Sequence, residues 1–111
     1  MKVDVHRSGD VTILDLRGTF SGLHEEVFNR ALQEALDSGA AKLVINLRDV
    51  SRIDSSGVGQ LVSGYATATN RGVRLNLAEL PGDIRHILTI TGLITSFDVY
   101  GSVDEAVRSF A

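Results

Sequence analysis

Residues 43–59 read LVINLRDVSRIDSSGVG, an apolar run that leads through a polar segment into a glycine-containing turn. The run at 43–45 is continuously apolar rather than alternating, which is typical of a strand covered on both faces in the middle of a sheet. The Asp-Ser-Ser at 54–56 offers three good helix N-caps, and apolar residues at helical spacing begin at Val58. This stretch therefore predicts a central strand followed by a helix.

Strand and helix patterns alternate along the rest of the chain. Residues 3–5 and 11–16 alternate apolar with polar side chains on either side of a turn at 8–10, which predicts a hairpin. Four segments carry apolar residues at helical spacing. Those helices are predicted to begin near Val27, Val58, Pro81 and Ser102, with further strands at 73–77 and 97–100. The predicted order is ββαβαβαβα.

Such alternation favours parallel strand pairing with right-handed crossovers, and the opening hairpin makes the sheet mixed. Pro81 is the only proline, the glycines are spread along the chain, and no internal repeat divides it. We therefore expect one α/β domain over residues 1–111, with a mixed but mostly parallel sheet of about five strands and about four helices.

Composition excludes several classes of function. Eleven Lys and Arg against 14 Asp and Glu give a net charge of −3, which argues against a nucleic-acid partner. The chain has no cysteine, so thiolate catalysis and cysteine-based metal sites are excluded. Charged residues occupy the amino terminus, and the longest uncharged run, 55–70, is shorter than the roughly 20 apolar residues that span a bilayer. We expect a cytoplasmic protein without membrane insertion.

The turn Asp54-Ser55-Ser56-Gly57 is the most informative candidate site. It follows the predicted central strand, and functional surfaces of open α/β sheets form at the carboxyl ends of parallel strands. One interpretation is that the turn only caps the helix. The other is that a serine here is phosphorylated, because the helix N–H groups and dipole tolerate the roughly −1.5 to −2 charge of a phosphate.

The segment from Ile45 to Gly59 resembles the signature of the STAS domain, particularly that of the bacterial anti-sigma factor antagonists. The resemblance covers nearly the whole chain and keeps its order and spacing. It includes the opening hairpin, Leu16-Arg17-Gly18, Arg71-Gly72-Val73, and Phe97-Asp98-Val99-Tyr100 followed by Ser102 and Glu105.

This resemblance implies a protein-binding module with no cofactor. Members bind an anti-sigma factor, usually also a serine kinase of the histidine-kinase-like ATPase type, and so free a sigma factor for transcription. The second serine of the motif, here Ser56, is phosphorylated by the kinase, and a phosphatase restores binding. The resemblance places the partner surface at Asp54, Ser55, Ser56 and Gly57 and on the exposed face of the helix that follows them.

Two further features bear on partner recognition. Asp49, Arg52 and Asp54 are candidates for a mixed-charge patch that a kinase recognises, although exposed charges beside a loop are more often simply solvated. Residues 18–21 read GTFS, where many family members carry an Asp shortly after the glycine. A divergent signalling member is therefore as compatible with the sequence as a close equivalent of the sporulation or general-stress antagonists.

Other functions remain as alternatives. A STAS scaffold subunit, in a signalling complex or beside a transporter, would use the turn at 54–57 only structurally. A nucleotide-binding hydrolase is disfavoured because 57–59 lacks the rest of a phosphate-binding motif. The segment beginning at His24 has Phe28 where a zinc-protease helix needs its second histidine. Leu23, Ile90, Leu93 and Ile94 are candidate apolar anchors for a partner, although core packing explains them with fewer assumptions. We expect no catalytic residue and no metal.

Overall fold

The computed structural model describes residues 1–22 and 25–111, without the side chain of Glu25. Within them, the strands are β1 (Lys2–Ser8), β2 (Val11–Phe20), β3 (Lys42–Ile53), β4 (Arg74–Ala78) and β5 (Asp98–Tyr100). The helices are α1 (Glu25–Asp37), α2 (Ser55–Asn70), α3 (Gly82–Ile90) and α4 (Val103–Arg108), with a 3-10 helix at Leu93–Ser96. The predicted order is confirmed. Leu23 and His24, which two of the hypotheses above concern, lie outside the described residues.

The strands form one mixed sheet in the order β1-β2-β3-β4-β5. Only β1 runs antiparallel to its neighbour, and the other pairings are parallel, as the sequence predicts. The hairpin closes at Gly9, whose φ of 61° suits a residue without a side chain. Every residue of β1 pairs with β2 in one unbroken register.

Two hydrophobic cores cover the two faces of the sheet. The larger core packs α1, α2 and α3 against one face, and the smaller core packs α4 against the other. Leu43 and Ile45 of β3 belong to the larger core, whereas Val44 between them belongs to the smaller. The prediction that this apolar run is a central strand buried on both faces is confirmed.

The predicted helix boundaries are also confirmed at several ends. The Ser102 hydroxyl accepts a hydrogen bond from the Glu105 backbone N–H at 3.1 Å, which caps α4. Pro81 is the residue that precedes α3. Gly72 and Gly92 follow the ends of α2 and α3 with φ values of 75° and 76°, a left-handed conformation that suits glycine.

β3 is much longer than its apolar run predicts, because it continues to Ile53 through residues that we expected to lie beyond the strand. Leu47, Val50 and Ile53 are buried at intervals of three residues rather than two. The register of β2 against β3 shifts twice along this segment, so that Gly18 pairs with Val50 and Phe20 with Ile53. Such irregularities explain why the alternation expected of a strand is missing from the sequence.

The face of α2 that is buried also differs from the face that its apolar pattern predicts. Val62 fits the apolar stripe of α2, yet it is 38% exposed. The buried face instead includes Gly64, where a Cβ atom would lie 3.0 Å from Leu32 Cδ2 and 3.1 Å from Phe28 Cε2 of α1. Close approach of the two helices therefore decides which face of α2 is buried.

We predict that Phe28→Ala destabilises the protein by about 3–5 kcal/mol, because this fully buried ring also contacts the ring of Phe20 at a centroid distance of 5.1 Å. Urea unfolding followed by circular dichroism measures the change. Val62→Ala, on the exposed side of α2, is the control and should stay within about 1 kcal/mol of wild type. Equal effects of the two variants would contradict the described packing of α1.

Candidate functional site

The amino terminus of α2 lies at the carboxyl end of β3, and a single residue separates the two elements. That residue, Asp54, is the N-cap: its Oδ1 accepts a hydrogen bond from the Gly57 N–H at 2.9 Å. Its own N–H donates to the Phe20 carbonyl oxygen at 3.3 Å. Of the three capping residues that the sequence offers, the fold uses Asp54, so the serine hydroxyls are not needed as the cap.

Ser55 and Ser56 are the first two residues of α2, and both are exposed. Ser56 lies beside Gly22, which is two residues beyond the end of β2. A Cβ atom added at Gly22 would lie 3.1 Å from both Cβ and Oγ of Ser56. The absence of a side chain at Gly22 therefore leaves clearance around the Ser56 hydroxyl.

Gly57 is buried under the first turn of α2. A Cβ atom at this position would lie 2.2 Å from the Phe20 carbonyl oxygen and 2.8 Å from Ile53 Cγ1. Both distances are shorter than real Cβ contacts allow, so the packing of α2 against the ends of β2 and β3 requires glycine here. Gly57 therefore lets the first turn of α2, which carries the exposed serines, pack closely on the ends of β2 and β3.

Asp49 and Arg52 lie on the last part of β3, just before the turn. Their register partners on β2 are Arg17 and Thr19. Both residues are exposed, and neither forms an ion pair with any described residue. The structure thus brings the two charges to the same end of the sheet as Asp54, on a strand rather than in a loop.

A surface groove of about 250 Å³ runs beside Ser56. It is lined by Asn29 of α1 and by Ser56, Gly59, Gln60 and Ser63 of α2. Gln60 is only 5% exposed, and its Nε2 donates to the Ser21 carbonyl oxygen at 3.1 Å, which ties α2 to the end of β2. Sequence reasoning missed this groove, although a glutamine next to Leu61 in an apolar helical stripe is a signal for a buried polar contact.

Two further observations on the described residues concern membrane-spanning helices and metal-ligand clusters. Among residues 1–22 and 25–111, no helix has both the length and the apolar character needed to cross a membrane. The same residues contain no group of three or more His, Asp or Glu side chains placed to hold a metal ion.

Comparison with known proteins identifies a family and a set of structural neighbours. A family model for the STAS domain matches residues 2–106. A Thermotoga maritima protein described as an anti-sigma factor antagonist superposes with a TM-score of 0.88 at 23% identity, covering 96% of this chain and 92% of that chain.

Three other structures are informative. The anti-sigma factor antagonist SpoIIAA has a TM-score of 0.79 in its unphosphorylated form, at 19% identity and with 97% of this chain and 95% of that chain covered. Its phosphorylated Bacillus form has a TM-score of 0.75, at 19% identity with 98% and 99% covered. A sulfate transporter family protein from Wolinella succinogenes has a TM-score of 0.77, at 21% identity with 94% and 87% covered. At these identities, the likeness concerns the fold.

We predict that Gly57→Ala destabilises the protein by roughly 1–3 kcal/mol or more, because the new methyl group would clash with the Phe20 carbonyl oxygen. Gly59→Ala is the matched control in the same helix, where a Cβ atom meets nothing within 4 Å. It should leave stability unchanged or raise it by up to about 1 kcal/mol, since alanine favours helix. Thermal and urea unfolding of both variants would test this, and equal stabilities would contradict the close contact.

Proposed function

The chain belongs to the STAS domain family, and we propose that it is an anti-sigma factor antagonist whose binding is switched by phosphorylation of Ser56. In the unphosphorylated state it binds an anti-sigma factor that is also a serine kinase of the histidine-kinase-like ATPase type. This binding frees a sigma factor for transcription. The proposal needs no catalytic residue and no cofactor in this chain, and it places the protein in the cytoplasm.

The observation that carries this proposal is the placement of Ser56. Its side chain is exposed in the first turn of a 16-residue helix, at the carboxyl end of the central strand and beside Gly22. Asp54 caps the helix, so modification of the Ser56 hydroxyl would not remove the cap hydrogen bond. A kinase can therefore reach the hydroxyl while the fold around it stays intact.

Electrostatics support a phosphate at this position. The amino terminus of a helix carries a partial positive charge and unpaired N–H groups, both of which stabilise an anion. The first turn of α2 contains no acidic residue, and the N-cap Asp54 directly precedes it. The phosphate would thus be tolerated by the helix while adding about −1.5 to −2 charge to the surface.

The same charge accounts for release of the partner. The proposed contact surface consists of exposed Asp49, Arg52, Asp54, Ser55 and Ser56, with buried Gly57 shaping the turn beneath them. A phosphate in the centre of this surface must lose its hydration or meet partner carboxylates, either of which opposes binding. A phosphatase acting on phospho-Ser56 would return the protein to its binding state.

A second candidate is a non-switching scaffold subunit of a signalling or membrane-transport complex. The structural likeness to the sulfate transporter family protein supports this second candidate, because that protein has the same fold. In a scaffold, Asp54 would still cap α2 and Gly57 would still be required by packing. Ser56 would then remain unmodified.

We predict that Ser56→Asp lowers affinity for the anti-sigma factor by roughly 100-fold or more, whereas Ser56→Ala binds but does not accept phosphate. The measurement is a pull-down from native cell extract with wild-type, Ser56→Ala and Ser56→Asp baits, followed by titration calorimetry with the recovered partner. Mass spectrometry of the wild-type bait after incubation with ATP and that partner locates the phosphate.

Ser96→Asp, which places the same charge on an exposed serine of the 3-10 helix, is the control and should bind like wild type. Retention of the same partners by all three Ser56 baits would contradict the switch and favour the scaffold. Recovery of a STAS protein or a membrane complex in place of an ATPase-like kinase would do the same.

We further predict that Gly22→Ala slows phosphorylation of Ser56 at least several-fold, because the new methyl group would lie 3.1 Å from the serine Oγ. The initial rate of phosphate incorporation by the recovered kinase measures this effect. Gly82→Ala, at a site where a Cβ atom meets nothing within 4 Å, should be phosphorylated at the wild-type rate. Equal rates for the two variants would show that clearance at Gly22 does not limit access.

A further inference from the structure

The segment that follows β2 contacts α2 at two points. The Ser21 carbonyl oxygen accepts a hydrogen bond from Gln60 Nε2 at 3.1 Å. The next residue, Gly22, lies against Ser56, since a Cβ atom added there would be 3.1 Å from the serine Oγ. Ser56 and Gln60 are four residues apart on α2, so they lie on the same side of the helix, one turn apart. Two consecutive residues of the segment therefore contact two consecutive turns of α2.

We propose that Gln60 is a positioning residue for the phosphorylation of Ser56. By binding the Ser21 carbonyl oxygen, it fixes Gly22 in the place that leaves the serine hydroxyl open to the kinase. In this role Gln60 acts through Ser21 and Gly22 rather than through contact with the reacting hydroxyl. The inference rests on the proposed function, because it concerns the modification of Ser56.

Burial makes the contact between Gln60 and Ser21 effective. In the part of the chain that the structure describes, the buried polar side chains are those of Thr12, Ser21, Gln60 and Asn76, so two of the four meet at this contact. A buried amide–carbonyl bond is shielded from competing water and is stronger than an exposed one. A polar side chain on the buried side of a helix is also costly unless it is paired. The bond to Gln60 therefore determines where the Ser21 carbonyl lies.

The orientation of the Gln60 amide follows from this partner. Only Nε2 can donate to a carbonyl oxygen, because the amide oxygen in the same place would meet a second acceptor. Oε1 is buried and accepts no hydrogen bond from the described residues. Methionine has nearly the same shape as glutamine, so Gln60→Met removes the bond to Ser21 together with a buried acceptor that has no described partner. These two changes have opposite effects on stability, which suits the variant to separating positioning from folding.

The other contacts between the end of β2 and α2 do not involve Gln60. The Phe20 carbonyl oxygen still accepts the Asp54 N–H at 3.3 Å, and Asp54 still caps the helix. Loss of the Gln60 bond therefore releases Ser21 and Gly22, while the strand end and the helix start stay in place. A Gly22 that moves over the serine obstructs the kinase, and a displacement of 1 Å from productive geometry can slow a reaction about 100-fold.

We expect Gln60→Met to lower kcat for phosphorylation of Ser56 about ten-fold, with KM within about two-fold of wild type because the exposed contact surface is unchanged. The measurement is phosphate incorporation by the recovered kinase over a range of substrate concentrations. Gln60→Leu also lacks the donor and repeats the test with a different apolar shape. Gln33→Met, the same substitution at an exposed glutamine of α1, is the matched control and should have wild-type kinetics. The urea midpoints of the Gln60 variants should stay close to that of wild type.

A second measurement does not require the kinase. NMR relaxation of the backbone amides should give Gly22 an order parameter of about 0.85 in wild type, which is typical of a rigid backbone, and below about 0.6 in Gln60→Met. Gln33→Met should keep the wild-type value. This measurement tests directly whether the bond from Gln60 fixes Gly22.

The outcomes separate this inference from the proposed function. Equal kinetics of wild type and Gln60→Met would overturn the inference and leave the proposed function standing. A Gly22 amide that is equally mobile in both proteins would also overturn it, whatever the kinase does. A loss of phosphorylation that only follows a lower urea midpoint would show a structural role and contradict positioning. Absence of phosphate from wild-type Ser56 would refute the proposed function, and this inference with it.

Discussion

The contact between Gly57 and the Phe20 carbonyl oxygen is the constraint on which the site depends. A Cβ atom at Gly57 would lie only 2.2 Å from that oxygen, so α2 can start where it does only if this residue has no side chain. The same oxygen accepts the Asp54 N–H, and Asp54 in turn caps the helix. Three adjacent interactions thus fix the first turn of α2 against the ends of two parallel strands and leave Ser56 exposed on it.

The long β3 strand connects this local constraint to the rest of the fold. Its first half is buried on both faces in the middle of the sheet, whereas its second half pairs beyond the end of β4 and carries exposed Asp49 and Arg52 toward the turn. The register shifts allow Leu47, Val50 and Ile53 all to reach the core. Irregular pairing therefore lets one strand serve as both a central element of the core and part of the proposed partner surface.

The proposed partner surface uses the end of the parallel part of the sheet. The turn at 54–57 lies where parallel strands end and a helix begins, so a modification there changes charge without altering any strand pairing.

The sequence by itself determined the order of elements, the central position of residues 43–45, the cap at Ser102 and the location of the Asp54–Gly57 turn, since each rests on local periodicity or capping chemistry. It did not determine the length of β3, the buried face of α2 or the groove beside Ser56. Those features depend on register shifts, on the fit of Gly64 against α1 and on contacts between residues distant in sequence, such as Gln60 and Ser21. Only the tertiary structure decides them, because spacing along one element carries no information about how closely another element approaches it.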